Sequence, residues 1–234
     1  MGDYKKIGIV GGMGPLAAVR LFDRIVERTD ASHDSEHIRI FIDNNPSIPD
    51  RTEAVLHGGA SPVPAVCESI NTLQRCGADF ILLACNTLHY FYDEIVRETG
   101  ADVVNMIAET GKLMAARGIT RVGLLSTTGT IGGRVFEKYL NPLGITVLTP
   151  DLAGQETVMK LIYDGVKAGA DKYDTTGFMN VARELRDRGA QTLIAGCTDI
   201  SVALERYSPD LEVTDALEVL AEAAVVKAGY KLRG

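Results

Sequence analysis

No apolar stretch in this 234-residue chain reaches the roughly 18 residues that a membrane-spanning helix needs, so no helix is expected to cross a bilayer. Basic residues are outnumbered: 24 Lys and Arg stand against 31 Asp and Glu, a net charge of −7. A nucleic-acid groove needs a basic face to displace counterions, so nucleic acid is not an expected partner. A local Arg or Lys can still dominate one pocket, which leaves small anions open as ligands. Cysteines at CxxC spacing are missing, which argues against a zinc knuckle. His33, His37 and His57 show no ligand spacing either, and neither a metal nor another cofactor is expected. The apolar run Ile7-Gly8-Ile9-Val10 after Lys5-Lys6 is too short for a secretory signal. Lys6 stands where a myristoylation motif begun by Met1-Gly2 needs Ser or Thr. The expectation is a cytoplasmic protein.

What is present is a globular composition, with enough apolar residues, 46%, for a sizeable core. Short apolar strands are predicted at Ile7–Val10, Ile38–Ile42, Phe80–Ala84 and Val103–Asn105. A second set is predicted at Val122–Leu125, Ile145–Leu148, Thr192–Ala195 and Glu212–Val213. Helical patterns separate most of them, the signature of parallel sheets with right-handed crossovers. The strands are apolar throughout, as strands covered on both faces are.

The second set echoes the first. Ile7-Gly8-Ile9-Val10-Gly11-Gly12-Met13-Gly14 resembles Val122-Gly123-Leu124-Leu125-Ser126-Thr127-Thr128-Gly129, 115 residues later. Arg75-Cys76-Gly77-Ala78-Asp79-Phe80-Ile81-Leu82-Leu83-Ala84-Cys85 resembles the segment from Asp187 to Cys197, the two cysteines being 112 residues apart. Val104-Asn105-Met106 matches Thr214-Asp215-Ala216, 110 residues on. Three segments aligned in one order predict a duplicated α/β fold. It has two pseudo-symmetric domains, each a four-stranded parallel sheet flanked by helices, with the active site in the cleft between them. Residues 1–105 with 214–234 are read as the N-terminal domain and 106–213 as the C-terminal one.

In parallel α/β sheets, ligands bind beyond the carboxyl ends of the strands, and Cys85 and Cys197 both stand there, just before a helix. Asn86-Thr87 follows one and Thr198-Asp199 the other, residue types that cap helices. A helix start offers free N–H groups and partial positive charge, which stabilise a thiolate or hold a carboxylate. Two matched thiols on opposite faces of a Cα suit stereochemical inversion, one taking a proton and the other giving one. Backbone N–H groups with Asn86, Thr87 and Thr198 would bind the carboxylate and its enolate-like form. Cys67 and Cys76 fall on one predicted helix over 62–76 and read as inert buried hydrophobes.

Several segments together carry a family resemblance. They are Gly12-Met13-Gly14-Pro15, Asn44-Asn45-Pro46-Ser47-Ile48-Pro49-Asp50-Arg51-Thr52 and Ala84-Cys85-Asn86-Thr87-Leu88-His89. Tyr163-Asp164-Gly165-Val166-Lys167-Ala168-Gly169 and Gly196-Cys197-Thr198 complete the set. The chain resembles the aspartate/glutamate racemase family over nearly its whole length. The resemblance implies racemisation by two cysteines without pyridoxal phosphate, a two-domain fold and a homodimer. It implies a small acidic amino acid as substrate, probed by Met13, Arg51, Asn86, Thr87, Leu88, Lys167 and Thr198. Asn45, His89 and Asp199 are placed behind that shell. The family's usual Gly-Cys-Thr-Glu is here Gly-Cys-Thr-Asp, with Asp199 one methylene shorter, which leaves aspartate, glutamate or a broad range open.

Other readings stand beside this one. The stretch from Asn44 to Pro62 is long for a strand-to-helix connection and reads as a lid loop. Arg51 within it suits a bidentate grip on a side-chain carboxylate, or is a solvated arginine. Lys167 can serve the substrate or merely complement a helix end. His89 orients the cleft, tunes Cys85 or is structural. Thr127, Thr128 and Thr130, with Ser126, form a carboxylate site or an ordinary polar turn. Gly12-Met13-Gly14-Pro15-Leu16-Ala17 also fits a dinucleotide-binding turn, but Asp43 lies 31 residues after Gly12, beyond the usual spacing of about 20. Alternatives are a single-cysteine isomerase or decarboxylase of the same superfamily, or a non-catalytic amino-acid-binding protein.

Overall fold

A computed structural model describes residues 4–234; the Met1-Gly2 start lies outside the described residues. Eight strands form two four-stranded sheets, all pairs parallel. The first holds β1 (Ile7–Gly11), β2 (Ile40–Asn44), β3 (Phe80–Leu83) and β4 (Val103–Val104), in the order β2-β1-β3-β4. The second holds β5 (Arg121–Leu125), β6 (Thr146–Leu148), β7 (Thr192–Ala195) and β8 (Thr214–Asp215), in the order β6-β5-β7-β8. The two orders are the same, and the registers agree as well. Ile7 faces Phe80 across β1 and β3, and Val122 faces Thr192 across β5 and β7. Those are the pairs that the sequence offsets of 115 and 112 align.

The helices are α1 (Pro15–Arg28), α2 (Arg51–His57), α3 (Val63–Arg75), α4 (Tyr92–Thr99), α5 (Met106–Ala116) and α6 (Thr128–Gly132). They continue with α7 (Val135–Leu140), α8 (Leu152–Lys160), α9 (Thr176–Asp187), α10 (Thr198–Tyr207) and α11 (Ala216–Lys227). Side chains alternate across a strand, and the core follows that period. Ile7, Ile9, Phe80 and Leu82 join Val122, Leu124 and Ile194 in one buried cluster with Leu21, Met114, Leu217 and Leu220. Helices α1, α5 and α11 therefore lie in a shared middle layer between the sheets. Their alternates separate into two outer clusters. Val10, Ile81 and Leu83 pack with Ile70 and Leu73 of α3, while Leu125, Leu193 and Ala195 pack with Val181 and Leu185 of α9.

Several elements differ from expectation. The last strand is Thr214–Asp215 instead of Glu212–Val213, because Ile194 and Ala195 pair with those two residues. Asp215 there also caps α11, accepting from Leu217 N at 2.9 Å. The second strand runs Ile40–Asn44; Ile38 is buried but precedes the ladder that starts at Ile7 and Ile40. The stretch from Asn44 to Pro62 is not an irregular loop throughout, since it contains α2, capped by Asp50 accepting from Glu53 N at 3.0 Å. Cys67 is half-buried and Cys76 exposed at the end of α3, so neither is the fully buried hydrophobe expected.

Candidate active site

Cys85 follows β3 and Ala84, and Cys197 follows β7 and Gly196; both are buried. Ile194 and Leu82 anchor the strands that carry them in the common core. The two halves then bring both thiols to one small cavity of about 20 Å³. Met13, Arg51, Asn86, Thr87, Thr127, Lys167, Thr198 and Asp199 line it with them. That volume suits about one water molecule, so the cleft stands closed. A wider recess of about 510 Å³ adjoins it, and Met13, Asp50, Arg51, Lys167 and Asp199 belong to both walls.

Cys197 is the N-cap of α10, its carbonyl accepting from Ile200 N at 2.9 Å and Ser201 N at 3.3 Å. A helix start was expected to ease ionisation of both thiols. At Cys197 burial prevails and pushes the thiol up, the Asp199 carboxylate pushes it further, and the helix amides only partly offset them. Cys85 has no comparable N-cap: a short 3₁₀ turn, Thr87–Phe91, follows it. Its carbonyl lies 2.9 Å from His89 Nδ1.

Asp199 and Lys167 form an ion pair at 3.2 Å. Burial works against the Lys167 charge, but the Asp199 carboxylate outweighs it and holds the ammonium above its usual range. Lys167 ends a π-helical turn, Leu161–Lys167, with its Nζ 5.6 Å from the Tyr163 ring centroid. Arg51 heads α2 and donates to the carbonyls of Ile48 at 3.2 Å, Pro49 at 3.0 Å and Met13 at 3.3 Å. Its Nε is buried and unpartnered. Asn86, only 2% exposed, leaves both ends of its amide unpartnered. Buried polar groups are normally hydrogen-bonded, and these two stand unpartnered on the wall that also holds the two thiols.

A ring of hydroxyls joins the halves. Thr87 Oγ1 lies 2.9 Å from Thr127 Oγ1 and 2.8 Å from Thr130 Oγ1, which are 3.0 Å from each other. Thr198 Oγ1 reaches Ala84 O at 3.5 Å. Five of the sequence candidates, fully buried His89 among them, stand away from the cavity wall. Thr130 is fully buried behind it, Leu88 lies in the outer core of the first sheet, and Thr128 N donates to Met159 Sδ at 3.4 Å. Asn45 shapes its own turn, accepting from Ser47 N at 3.1 Å and donating to Ser69 Oγ at 3.4 Å. Asp50, Thr52 and Tyr163 line the cavity but carried no role in the sequence reading. They flank Arg51 or stand one helical turn before Lys167, so proximity in sequence was the available signal. Among the described residues no cluster of three His, Cys, Asp or Glu could hold a metal ion. At Gly14, in the turn that also fits a dinucleotide-binding pattern, a Cβ would lie 3.5 Å from an Asp199 carboxylate oxygen.

A family model described as Asp/Glu/Hydantoin racemase matches residues 10–224. The chain is 27% identical over 225 residues to the broad specificity amino-acid racemase RacX of Bacillus subtilis, covering 94% of this chain and 96% of that protein. Among solved structures, an aspartate racemase of Picrophilus torridus superposes with a TM-score of 0.83 at 33% identity, covering 97% of this chain and 96% of that one. The glutamate racemase isoform RacE1 of Bacillus anthracis shares the fold, with a TM-score of 0.63 at 20% identity over 97% of this chain and 82% of that one.

Proposed function

From its place in the Asp/Glu/hydantoin racemase family, to which this chain belongs, we propose that it racemises a dicarboxylic amino acid, aspartate or glutamate, by two-base proton transfer between Cys85 and Cys197. The observation that carries the proposal is the meeting of these two thiols, from matched positions of the two halves, on one cavity beside the orphaned Asn86 amide. RacX and the Picrophilus enzyme support the reaction class by what their names state.

In one direction Cys85 takes the Cα proton as thiolate while Cys197, kept as a thiol by burial, gives its proton to the opposite face. One C–H bond breaks, one forms, and the proton ends on Cys85. The reverse reaction exchanges the roles. The Asn86 amide and the Thr87 and Thr127 hydroxyls face the α-carboxylate, where negative charge grows as the proton leaves, and stabilise it there. Arg51 and Lys167 take the side-chain carboxylate, Arg51 by trading backbone carbonyls for a charged partner. A substrate needs more than the closed volume, so Arg51 and the Lys167–Asp199 pair, which wall both cavities, must yield to admit it. A cytoplasmic homodimer, with residues 1–105 and 214–234 in one lobe and 106–213 in the other, belongs to the same proposal.

The test is a screen of L-amino acids for D-product by chiral chromatography, on the wild type and on Cys85→Ser and Cys197→Ser. Aspartate or glutamate should turn over in the wild type and in neither variant. Full activity in either variant, or no product from any amino acid, would contradict the proposal.

A further inference from the structure

The two thiol turns are pseudo-equivalent, yet their carbonyls are held differently. His89 and Ser201 are matched positions, 112 residues apart like the cysteines and each four residues after one. In the second half the Ser201 backbone N–H donates to Cys197 O at 3.3 Å, as a regular helix requires. In the first half the His89 backbone N–H goes to Asn86 O at 3.0 Å, one residue later. The His89 ring lies at the vacated carbonyl instead, with Nδ1 2.9 Å from Cys85 O.

The ring's tautomer follows from its other contact. Met106 N–H donates to His89 Nε2 at 3.2 Å, so Nε2 carries a lone pair and Nδ1 carries the hydrogen. The ring is fully buried, and burial lowers its pKa to about 4, which keeps it neutral. Tyr92 stacks on it nearly parallel, centroids 6.0 Å apart. Both nitrogens are occupied, Nδ1 by its hydrogen and the Nε2 lone pair by Met106 N–H, so the ring has no free lone pair with which to take a proton from a thiol.

We propose that His89 is a positioning residue: its Nδ1–H replaces a helix amide at Cys85 O and so aims the Cys85 thiol and the Asn86 amide into the cleft. Its Nε2 fastens the same turn to the amino end of α5. Moving the first helical bond from Cys85 to Asn86 makes Asn86 the N-cap of the turn, yet its side chain makes no capping bond and lies unpartnered. The duplicated site is thereby made asymmetric, with Cys197 set by backbone and Cys85 by a side chain. The catalytic consequence rests on the two-thiol reading above; the positioning itself does not.

The experiment compares His89→Asn, whose amide nitrogen falls near Nδ1 and keeps the donor, with His89→Gln, which reaches toward Nε2 and loses it. Two quantities are read: the ratio of Cys85 to Cys197 alkylation by iodoacetamide, from peptide mass spectrometry, and the primary isotope effects with α-deuterated L and D substrate. The equilibrium constant of a racemisation is one, so kcat/KM falls equally in both directions whichever base is disturbed. The isotope effects need not move together, since only one direction asks Cys85 to take the proton.

For His89→Gln we expect kcat/KM to fall roughly 10- to 100-fold, on the scale of a 1 Å misplacement. Its alkylation ratio shifts severalfold toward Cys85 and its two isotope effects diverge from their wild-type ratio; His89→Asn restores most of each. Wild-type alkylation and isotope-effect ratios in His89→Gln, or equal losses in both variants with those ratios unchanged, would overturn the proposal. Should both variants fail to fold, Tyr92→Leu, which unseats the ring from one side, must move the alkylation ratio in the same direction. An unmoved ratio there overturns it too. A wild type inactive on every amino acid, with the alkylation shift present, would sink the racemase reading and leave the positioning role standing.

Discussion

Replacing Gly129 with alanine should separate catalytic precision from stability. Gly129 lies in α6, under the first turn of α2. A Cβ there would fall 2.7 Å from Thr52 Oγ1 and 2.9 Å from Thr52 Cα. Carbon contacts settle near about 3.5–4.0 Å, and the second of these atoms is backbone, so α2 must retreat by roughly 0.7 Å. Neighbouring contacts allow little freedom, since a Cβ on Gly132 would meet Leu56 Cδ2 at 2.5 Å and one on Gly133 would meet Val55 Cγ1 at 3.0 Å. Arg51 precedes Thr52 and moves with it. Helix propensity alone would favour alanine by roughly 1 kcal/mol, whereas overpacking costs about 1–3 kcal/mol. The net cost is small against the roughly 5–15 kcal/mol that hold a domain folded. A displacement approaching 1 Å at a substrate clamp, by contrast, can cost about 10²-fold in rate. Chiral chromatography should therefore show kcat/KM down roughly 10- to 100-fold. Calorimetry should show Tm lower by only a few degrees, at about 2–4 °C per kcal/mol for this size. In Gly132→Ala, adding Leu56→Ala should recover activity by removing the opposing methyl group. A Gly129→Ala enzyme within about twofold of wild type would refute the idea that the seating of α2 on α6 sets the clamp.

Asp199→Asn removes a charge that helps push the Cys197 thiol up and that holds the Lys167 ammonium. Alkylation of Cys197 should then rise at a lower pH than in the wild type, while racemisation falls because Lys167 loses its anchor; an unmoved alkylation profile would contradict this. Acid should weaken the fold through His89. Its folded pKa, about 4, lies below the ordinary 6.5, so this contribution is complete above about pH 6.5 and is lost as pH falls toward 4. The full difference amounts to about 3 kcal/mol. Urea midpoints measured between pH 7 and 4.5 should fall less steeply in His89→Asn than in the wild type, and equal slopes would count against it.

The parallel sheets, the duplication and the two thiols were legible because each rests on a local pattern. Short apolar runs such as Phe80-Ile81-Leu82-Leu83, alternating with helical patterns, read as covered strands, and the repeat in register set Cys85 and Cys197 at matched strand ends. Features settled by partners distant in sequence were harder to read. Thr214-Asp215 became the last strand through Ile194 and Ala195, although Val213 is the more strand-like residue. Helix α2 was signalled only by Asp50 and Glu53, spaced as a cap and its third residue, within a proline-rich stretch. The sign of the Cys197 shift depended on burial and on a carboxylate whose approach the sequence does not display. The role of His89 required knowing which amide the Cys85 carbonyl had lost.

The central claim is that two thiols act from opposite faces of one Cα. Its most direct measurement is the early product of unlabelled L-aspartate or L-glutamate in D₂O, resolved by chiral chromatography and mass spectrometry. Two opposed acids and bases should give D-product bearing one deuterium while the remaining L-substrate stays unlabelled. Unlabelled D-product, or equal label in both enantiomers from the start, would mean that one base serves both faces.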